Sequence, residues 1–460
     1  MARPTTLSGF PEWLPADRIV EARIIAKIRQ VFELHGFAEI ETRAVEPLEH
    51  LLSKGETSKE VYLLNRLQAD SGEREVNQKT LGLHFDLTVP FARYVVEHAG
   101  HLNFPFKRYQ IQKVWRGERP QEGRFREFLQ ADIDVVGDSE LPYHFEVELP
   151  LVMAAALAEL KEFGVPEVKI LVNNRKVAEG FYRGLGLTDI DAVLRNIDKL
   201  DKIGVQKVAL ELQSDAGASA EQAAAALELA AINGADLSVI GEIQAIGEKY
   251  RVNNDTFHAG IAELELLLRA AGDRGAKNVV LDLKIARGLD YYTGSVYETV
   301  LVGHEDLGSI CSGGRYDALA TDGKRVFPGV GLSIGVSRLV SRLLGAKLVQ
   351  ASRSVPTAVL VAVNSEEERP TSDAIATILR ARGIPTDVAP QAAKFGKQIK
   401  FADKRGIPFV WFPGSGEGQG EVLQGHQVKD IRSGQQEEAD PDTWQIPPGD
   451  LYPRVEAVNL

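Results

Sequence analysis

At 460 residues, 44% hydrophobic and 26% charged, the chain has the make-up of a soluble globular protein with room for two or three domains, each with its own core. A formal net charge of −12 argues against nucleic-acid binding by bulk attraction, so any contact with RNA has to be local. The single Cys311 excludes an intrachain disulfide framework and cysteine-based zinc sites. No apolar run nears the roughly 20 residues of a membrane span, and the opening MARPTTLSGFPEWLP lacks the apolar core of a secretory signal, so a cytoplasmic location with no membrane partner is expected.

Asp17 can cap a helix whose apolar positions Val20, Ile24, Ile28, Val31 and Phe32 recur at helical spacing, with Gly36 as its stop. A strand-like segment around Ile40 follows, then Pro47. Residues 65–80, NRLQADSGEREVNQKT, read as a polar loop between hairpin strands. In Asp86-Leu87-Thr88 an extended chain would aim Asp86 and Thr88 the same way, a carboxylate and a hydroxyl able to hold an ammonium together.

Residues 106–137 read as two strands joined by a long charged loop. Side chains alternate across a strand, so Arg108, Gln110, Gln112 and Arg116 share one face and Tyr109, Ile111 and Trp115 the other. On the returning strand Arg126, Gln130, Asp132 and Asp134 lie opposite Leu129, Ile133 and Val135. One side of the hairpin is thus a polar floor of Arg and Gln ending in Ala-Asp-Ile-Asp, where a solvated face would usually carry Lys, Glu, Ser and Thr. Between Phe106 and Arg126 seven Lys or Arg stand against two Glu, so something anionic is expected there.

The run Val114-Trp115-Arg116-Gly117-Glu118-Arg119-Pro120, with Gly123-Arg124-Phe125-Arg126-Glu127-Phe128 and Gln130-Ala131-Asp132, resembles motif 2 of the class II aminoacyl-tRNA synthetases, and among them most resembles the histidyl-tRNA synthetases. The helix and strand near the start then resemble motif 1, which in that family builds the dimer interface. Residues 83–93, LHFDLTVPFAR, resemble the segment in which an acid and a threonine bracket the amino group of histidine, with His84 where the family more often has Arg.

Residues 150–163 look like a helix packed on the sheet, and 168–172 like a buried strand. From about 190 to 275 Ala, Leu and Glu dominate and segments such as AEQAAAALELAAI favour helix, which resembles the family's helical insertion over the acceptor arm of the tRNA. A strand returns at 279–285. It leads into Ala286-Arg287-Gly288-Leu289-Asp290-Tyr291-Tyr292-Thr293-Gly294, which resembles the peptide that sets histidyl-tRNA synthetases apart from other class II enzymes. Cys311-Ser312-Gly313-Gly314-Arg315-Tyr316-Asp317 continues the pattern, its paired glycines allowing backbone to approach a ligand.

Residues 327–339 resemble motif 3, a strand running into a helix, with Gly329, Gly331 and Gly335 keeping the junction slim enough for a nucleotide. A Rossmann reading fails on glycine spacing and on the lack of a following βαβ unit. Residues 353–356 read as a linker. Beyond it, strands at 359–363, Val388, 409–412 and 427–431 alternate with helices at 371–382 and 394–405, a small α/β unit that resembles the family's anticodon-binding domain. The tail from Gln435 is polar and Pro-rich and is expected to be loosely ordered.

The resemblance implies an α+β catalytic core over 1–189 and 276–350, its mostly antiparallel sheet flanked by helices. It also implies a helical insertion at 190–275, an anticodon-binding-like α/β domain at 351–460, and a homodimer. It implies ATP-dependent ligation of L-histidine to histidine tRNA through a histidyl-adenylate, with Mg2+ bridging the phosphates of ATP. By the family's pattern Arg116 and Arg287 are catalytic, meeting the α-phosphate from two sides. Glu118 contacts adenine, while Arg124 and Arg338 hold the outer phosphates. Asp86, Thr88 and Gln130 grip the amino group of histidine, and Asp134 and Tyr292 meet its imidazole with Tyr291 close by. Arg126, Lys397 and Lys404 contact tRNA. The alternative is a non-catalytic, synthetase-like regulatory subunit of ATP phosphoribosyltransferase, a class that shares the core but lacks the C-terminal domain and an intact arginine-tyrosine peptide.

Overall fold

The computed structural model of the chain describes residues 5–52, 60–66, 80–121, 123–286, 291–414 and 425–458. They form two compact units: Met1–Pro11, Ile25–Lys161 and Pro166–Arg342 in the first, and Glu12–Ile24, Glu162–Val165 and Leu343–Leu460 in the second.

The first unit is built on a nine-stranded sheet of β1 (Ala38–Glu39), β2 (Phe106–Trp115), β3 (Glu127–Val136), β4 (Val168–Asn174), β5 (Asn233–Gly234), β6 (Val279–Asp282), β7 (Tyr292–Leu301), β8 (Cys311–Tyr316) and β9 (Gly329–Gly335). Their order is β1-β2-β3-β9-β8-β7-β4-β6-β5. Only β1–β2 and β4–β6 pair in parallel, which makes the sheet mostly antiparallel, as the α+β expectation requires. In the central hairpin Arg108 faces Asp134, Gln110 faces Asp132 and Gln112 faces Gln130 across the strands. Residues directly opposite in an antiparallel pair lie on one face, so the alternation in sequence becomes a contiguous polar floor. Its reverse side carries Tyr109, Ile133 and Val135, all fully buried, with the Tyr109 ring 5.9 Å from that of Phe32.

Helices flank this sheet. α1 (Pro15–Leu34) is divided between the units: it buries Ile28 and Phe32 in the part belonging to the first and Val20 and Ile24 in the part belonging to the second, and is followed by Gly36 at φ +78°. It begins two residues before Asp17, so that carboxylate sits in the first turn and not at the cap. α2 (Thr88–His98) precedes the hairpin; α3 (His144–Ala158) and α4 (Arg175–Gly184) follow it. The stretch expected to be a helical insertion holds α5 (Ile190–Ile197), α6 (Leu200–Ile203), α7 (Val205–Asp215), α8 (Ala220–Ala230), α9 (Ser238–Lys249) and α10 (Asp255–Asp273). Ser219 and Gln222 close a capping box at the start of α8, where two orphan N–H groups find acceptors. α11 (Val336–Gly345) continues directly from β9.

In the second unit β10 (Val359–Val361), β11 (Thr386–Val388), β12 (Phe409–Phe412), β13 (Gln427–Asp430) and β14 (Gln436–Glu438) form a sheet in the order β11-β10-β12-β13-β14. α12 (Arg369–Ala381) and α13 (Phe395–Arg405) connect its parallel strands. The tail from Gln435 departs from the expectation of loose order. Trp444 is buried against Trp411 and Phe409, with ring centres 5.7 and 5.4 Å away, and Arg432 pairs with Asp450 at 2.7 Å. One large aromatic anchors a segment whose composition is otherwise polar.

Candidate active site

The segment before α2 is not extended. Phe85, Asp86 and Leu87 bend, and Asp86 Oδ1 accepts the Val89 N–H at 3.1 Å, so the carboxylate serves one of the orphan donors at the helix start. Thr88 is the first residue of α2 and half-buried. This corrects the extended geometry expected for the pair, although both remain beside the hairpin. Three bonds dock the segment on β2. Trp115 N–H donates to the His84 carbonyl at 3.0 Å, Arg116 Nε–H donates to the Phe85 carbonyl at 2.9 Å, and His84 Nε2 lies 2.7 Å from the Lys113 carbonyl. A carbonyl only accepts, so His84 carries its proton on Nε2, and burial holds its pKa below the usual imidazole range. His84, whose role the sequence leaves open, is therefore a neutral clamp.

Arg116, Glu118, Arg124, Gln130 and Arg338 line a single cavity of about 560 Å3, a size suited to a small-molecule site. The Arg116 guanidinium lies 5.1 Å from the centre of the Phe128 ring and 3.9 Å from Glu118, which Arg124 approaches at 3.4 Å. Arg338, in the first turn of α11, donates to the Leu307 carbonyl at 3.3 Å. Arg287 lies outside the described residues.

Asp134 sits deeper on the floor, with both carboxylate oxygens engaged. Tyr316 donates to Oδ1 at 2.7 Å and Arg108 Nη2 lies 2.6 Å from Oδ2. The Tyr291 and Tyr292 rings are 4.1 Å apart, and burial first, then Asp86 and Asp134, raises the Tyr291 pKa, so these groups share one neighbourhood. The glycines serve protein neighbours here. A Cβ on Gly331 would sit 2.0 Å from Asp134 Oδ1, and one on Gly314 would meet the Tyr292 ring at 2.9 Å. Of the three motif 3 glycines, Gly335 lines the cavity. Arg126 donates from Nε to the Glu118 carbonyl at 3.1 Å. Lys397 and Lys404 are exposed on α13 of the second unit.

Several residues escaped sequence reasoning. Arg108 and Tyr316 fix Asp134, and Ser333 of β9 takes the Gln130 amide at 2.5 Å. Asp132 is buried on the floor, and desolvation pushes its pKa up to about 7 against the opposing charge of Arg108. Alternation alone already placed it beside Gln130 and Asp134. Glu60 is raised by burial with Arg116 opposing, and its carbonyl accepts the Gly117 N–H at 2.8 Å. Asp198, Asp201 and Lys202 bring the end of α5 and α6 to the cavity wall, where Asp201 pairs with Lys284 at 3.0 Å. No local sequence signal predicts that placement.

A family model described as histidyl-tRNA synthetase matches residues 9–339, and one described as anticodon binding domain matches 357–443. A histidine–tRNA ligase of Micrococcus luteus is 58% identical, with 99% of each chain covered. The crystal structure of histidyl-tRNA synthetase from Nostoc sp. PCC 7120 superposes with a TM-score of 0.82 at 37% identity, over 96% of this chain and 98% of that one. A Bacillus halodurans structure titled ATP phosphoribosyltransferase regulatory subunit/histidyl-tRNA synthetase shares the fold alone, at TM-score 0.68 and 20% identity over 87% of this chain and 96% of that one.

Proposed function

The chain belongs to the histidyl-tRNA synthetase family, and from that premise we propose how its residues divide the work. The enzyme ligates histidine to histidine tRNA at the expense of ATP. A histidine carboxylate oxygen attacks the α-phosphorus, the bond to pyrophosphate breaks, and the terminal ribose hydroxyl of the tRNA then displaces AMP from the acyl carbon. Nucleophile and electrophile are both anionic in the first step, so the protein's task is alignment and charge neutralisation.

Arg116 takes the α-phosphate and the substrate carboxylate, its fork held by the Phe85 carbonyl and the Phe128 ring. Arg287 reaches the same phosphate from the other side, a role that rests on its motif. Glu118 contacts adenine, and Arg124 and Arg338 hold the outer phosphates. Asp86, Thr88 and Gln130 receive the ammonium, and a buried Gln130 Oε1 with no other partner supports this role. Asp134 and Tyr292 meet the imidazole with Tyr291 beside them. A competitor side chain would offer these polar groups no matching partner, which costs several powers of ten in rate.

Magnesium held mainly through phosphates needs one or two protein carboxylates. The cavity fits that demand with Glu298, while no group of three or more ligating side chains gathers among the described residues. Bound there, the ion would neutralise phosphate charge. Arg126, Lys397 and Lys404 engage tRNA. Motif 1 supports a homodimer, and the single buried Cys311 supports a reducing cytoplasm.

The observation that carries the assignment of roles is the convergence of Arg116, Glu118, Arg124, Gln130 and Arg338 on one cavity. ATP–pyrophosphate exchange run with each of the twenty amino acids tests it. Exchange is expected with histidine alone and is lost in Arg116→Ala. Full exchange in that variant would remove Arg116 from its role, and no exchange with any amino acid would restore the regulatory-subunit reading.

A further inference from the structure

Gln130 is buried on β3 at the cavity wall, and a primary amide has two ends of nearly equal shape. Which end faces the substrate is decided by its partners. Gln130 Nε2 lies 2.5 Å from Ser333 Oγ, and Oε1 has no hydrogen-bond partner. Ser333 stands on β9 directly opposite Asp132 in the strand register, which places its hydroxyl beside that carboxylate, where it favours the ionised form. The second Asp132 oxygen is buried without a partner.

The logic of donors and acceptors closes this chain. Above about pH 7 Asp132 is ionised and only accepts, so the single Ser333 proton is then committed to it and the Ser333 oxygen has to accept from its other neighbour. The Gln130 amide can meet that demand only with its NH2 end. Its carbonyl oxygen is thereby turned away and left bare. We infer that Asp132 and Ser333 are positioning residues that lock the Gln130 amide with its oxygen, not its NH2, presented to the ammonium of the amino-acid substrate. This rests on the ammonium-binding role proposed above for Gln130. With the amide inverted, a donor would face a cation and an attraction would become a repulsion.

The surroundings agree. Arg108 on β2 favours the ionised form of Asp132, and Asp134 on the same strand, Asp86 before α2 and Cys311 on β8 are further titratable groups near it. With Asp132 ionised, three carboxylates stand against one buried guanidinium, a region that attracts a cation.

The test is histidine-dependent pyrophosphate exchange with Ser333→Ala and Ser333→Thr, together with competition by the des-amino analogue of histidine, which has the same ring and carboxylate but no ammonium. Ser333→Ala is expected to raise the histidine KM about tenfold, the equivalent of one hydrogen bond, with the effect on KM rather than on kcat. The inhibition constant of the des-amino analogue should stay within a factor of two, and Ser333→Thr, which keeps the hydroxyl, should restore the histidine KM. Equal weakening of histidine and analogue would assign Ser333 a merely structural role, and an unchanged histidine KM in Ser333→Ala would refute the relay. Wild-type exchange with histidine checks the underlying reading separately.

Discussion

Replacing Arg108 by Met isolates the charge that holds the histidine floor in place. Arg108 is fully buried, with Nη2 2.6 Å from Asp134 Oδ2, Nη1 donating to Gln110 Oε1 at 3.3 Å, and its guanidinium 4.1 Å from the centre of the Phe91 ring. At an effective dielectric of about 20 such a pair attracts by roughly 6 kcal/mol, most of it offset by desolvation of both ions. Methionine fills much of the same volume but leaves Asp134 charged and buried, which costs about 3–5 kcal/mol. Two compact units make a single unfolding free energy ill-defined, so the local quantity to measure is hydrogen exchange of the β2 and β3 amides by mass spectrometry. Protection there should fall by about two to four orders of magnitude. Arg108→Met combined with Asp134→Leu should recover at least half of that loss, because the orphaned charge is gone. If the two substitutions simply add, Arg108 does not compensate Asp134 and the reasoning fails.

Gly331→Ala places a methyl 2.0 Å from Asp134 Oδ1 and is expected to cost about 1–3 kcal/mol by overpacking, read as a lower thermal midpoint. The same change should cost nothing further in an Asp134→Ala background. Asp132 keeps its proton in the folded state up to about pH 7 but loses it near 3.8 when unfolded, so its contribution to stability declines as pH rises through that window. The midpoint of Asp132→Asn minus that of wild type should therefore be larger at pH 8 than at pH 5; an identical difference at both would show that the carboxylate carries no such shift.

The hairpin is legible because alternation over ten residues fixes which side chains share a face, and the β2–β3 register brings the two polar faces together. Asp86 takes the helix-start geometry because Asp-x-Thr is compatible with both an extended chain and a helix start. Local sequence does not say that Val89 will offer its N–H. Asp134 is visible in the alternation, yet the Tyr316 hydroxyl comes from 182 residues further along, and strand order across β3, β9 and β8 is a tertiary outcome. The motif 3 glycines divide: Gly335 lines the cavity, as a slim junction requires, whereas Gly331 makes room for the Asp134 carboxylate. The tail shows the converse limit, since a polar average conceals Trp444.

The His84 clamp also bears on solubility. The outermost strands of the large sheet, Ala38–Glu39 and Asn233–Gly234, are two residues each, so most of β2 would present a bare ladder to any passing chain. Ile40 N–H occupies the Tyr109 carbonyl, and His84 takes both the Lys113 carbonyl and the Trp115 N–H, which leaves little of that margin on offer. The contacts that seat Arg116 are thus the same ones that keep two molecules from zipping together along the strand bearing it, so loosening them would invite precipitation as well as poor turnover.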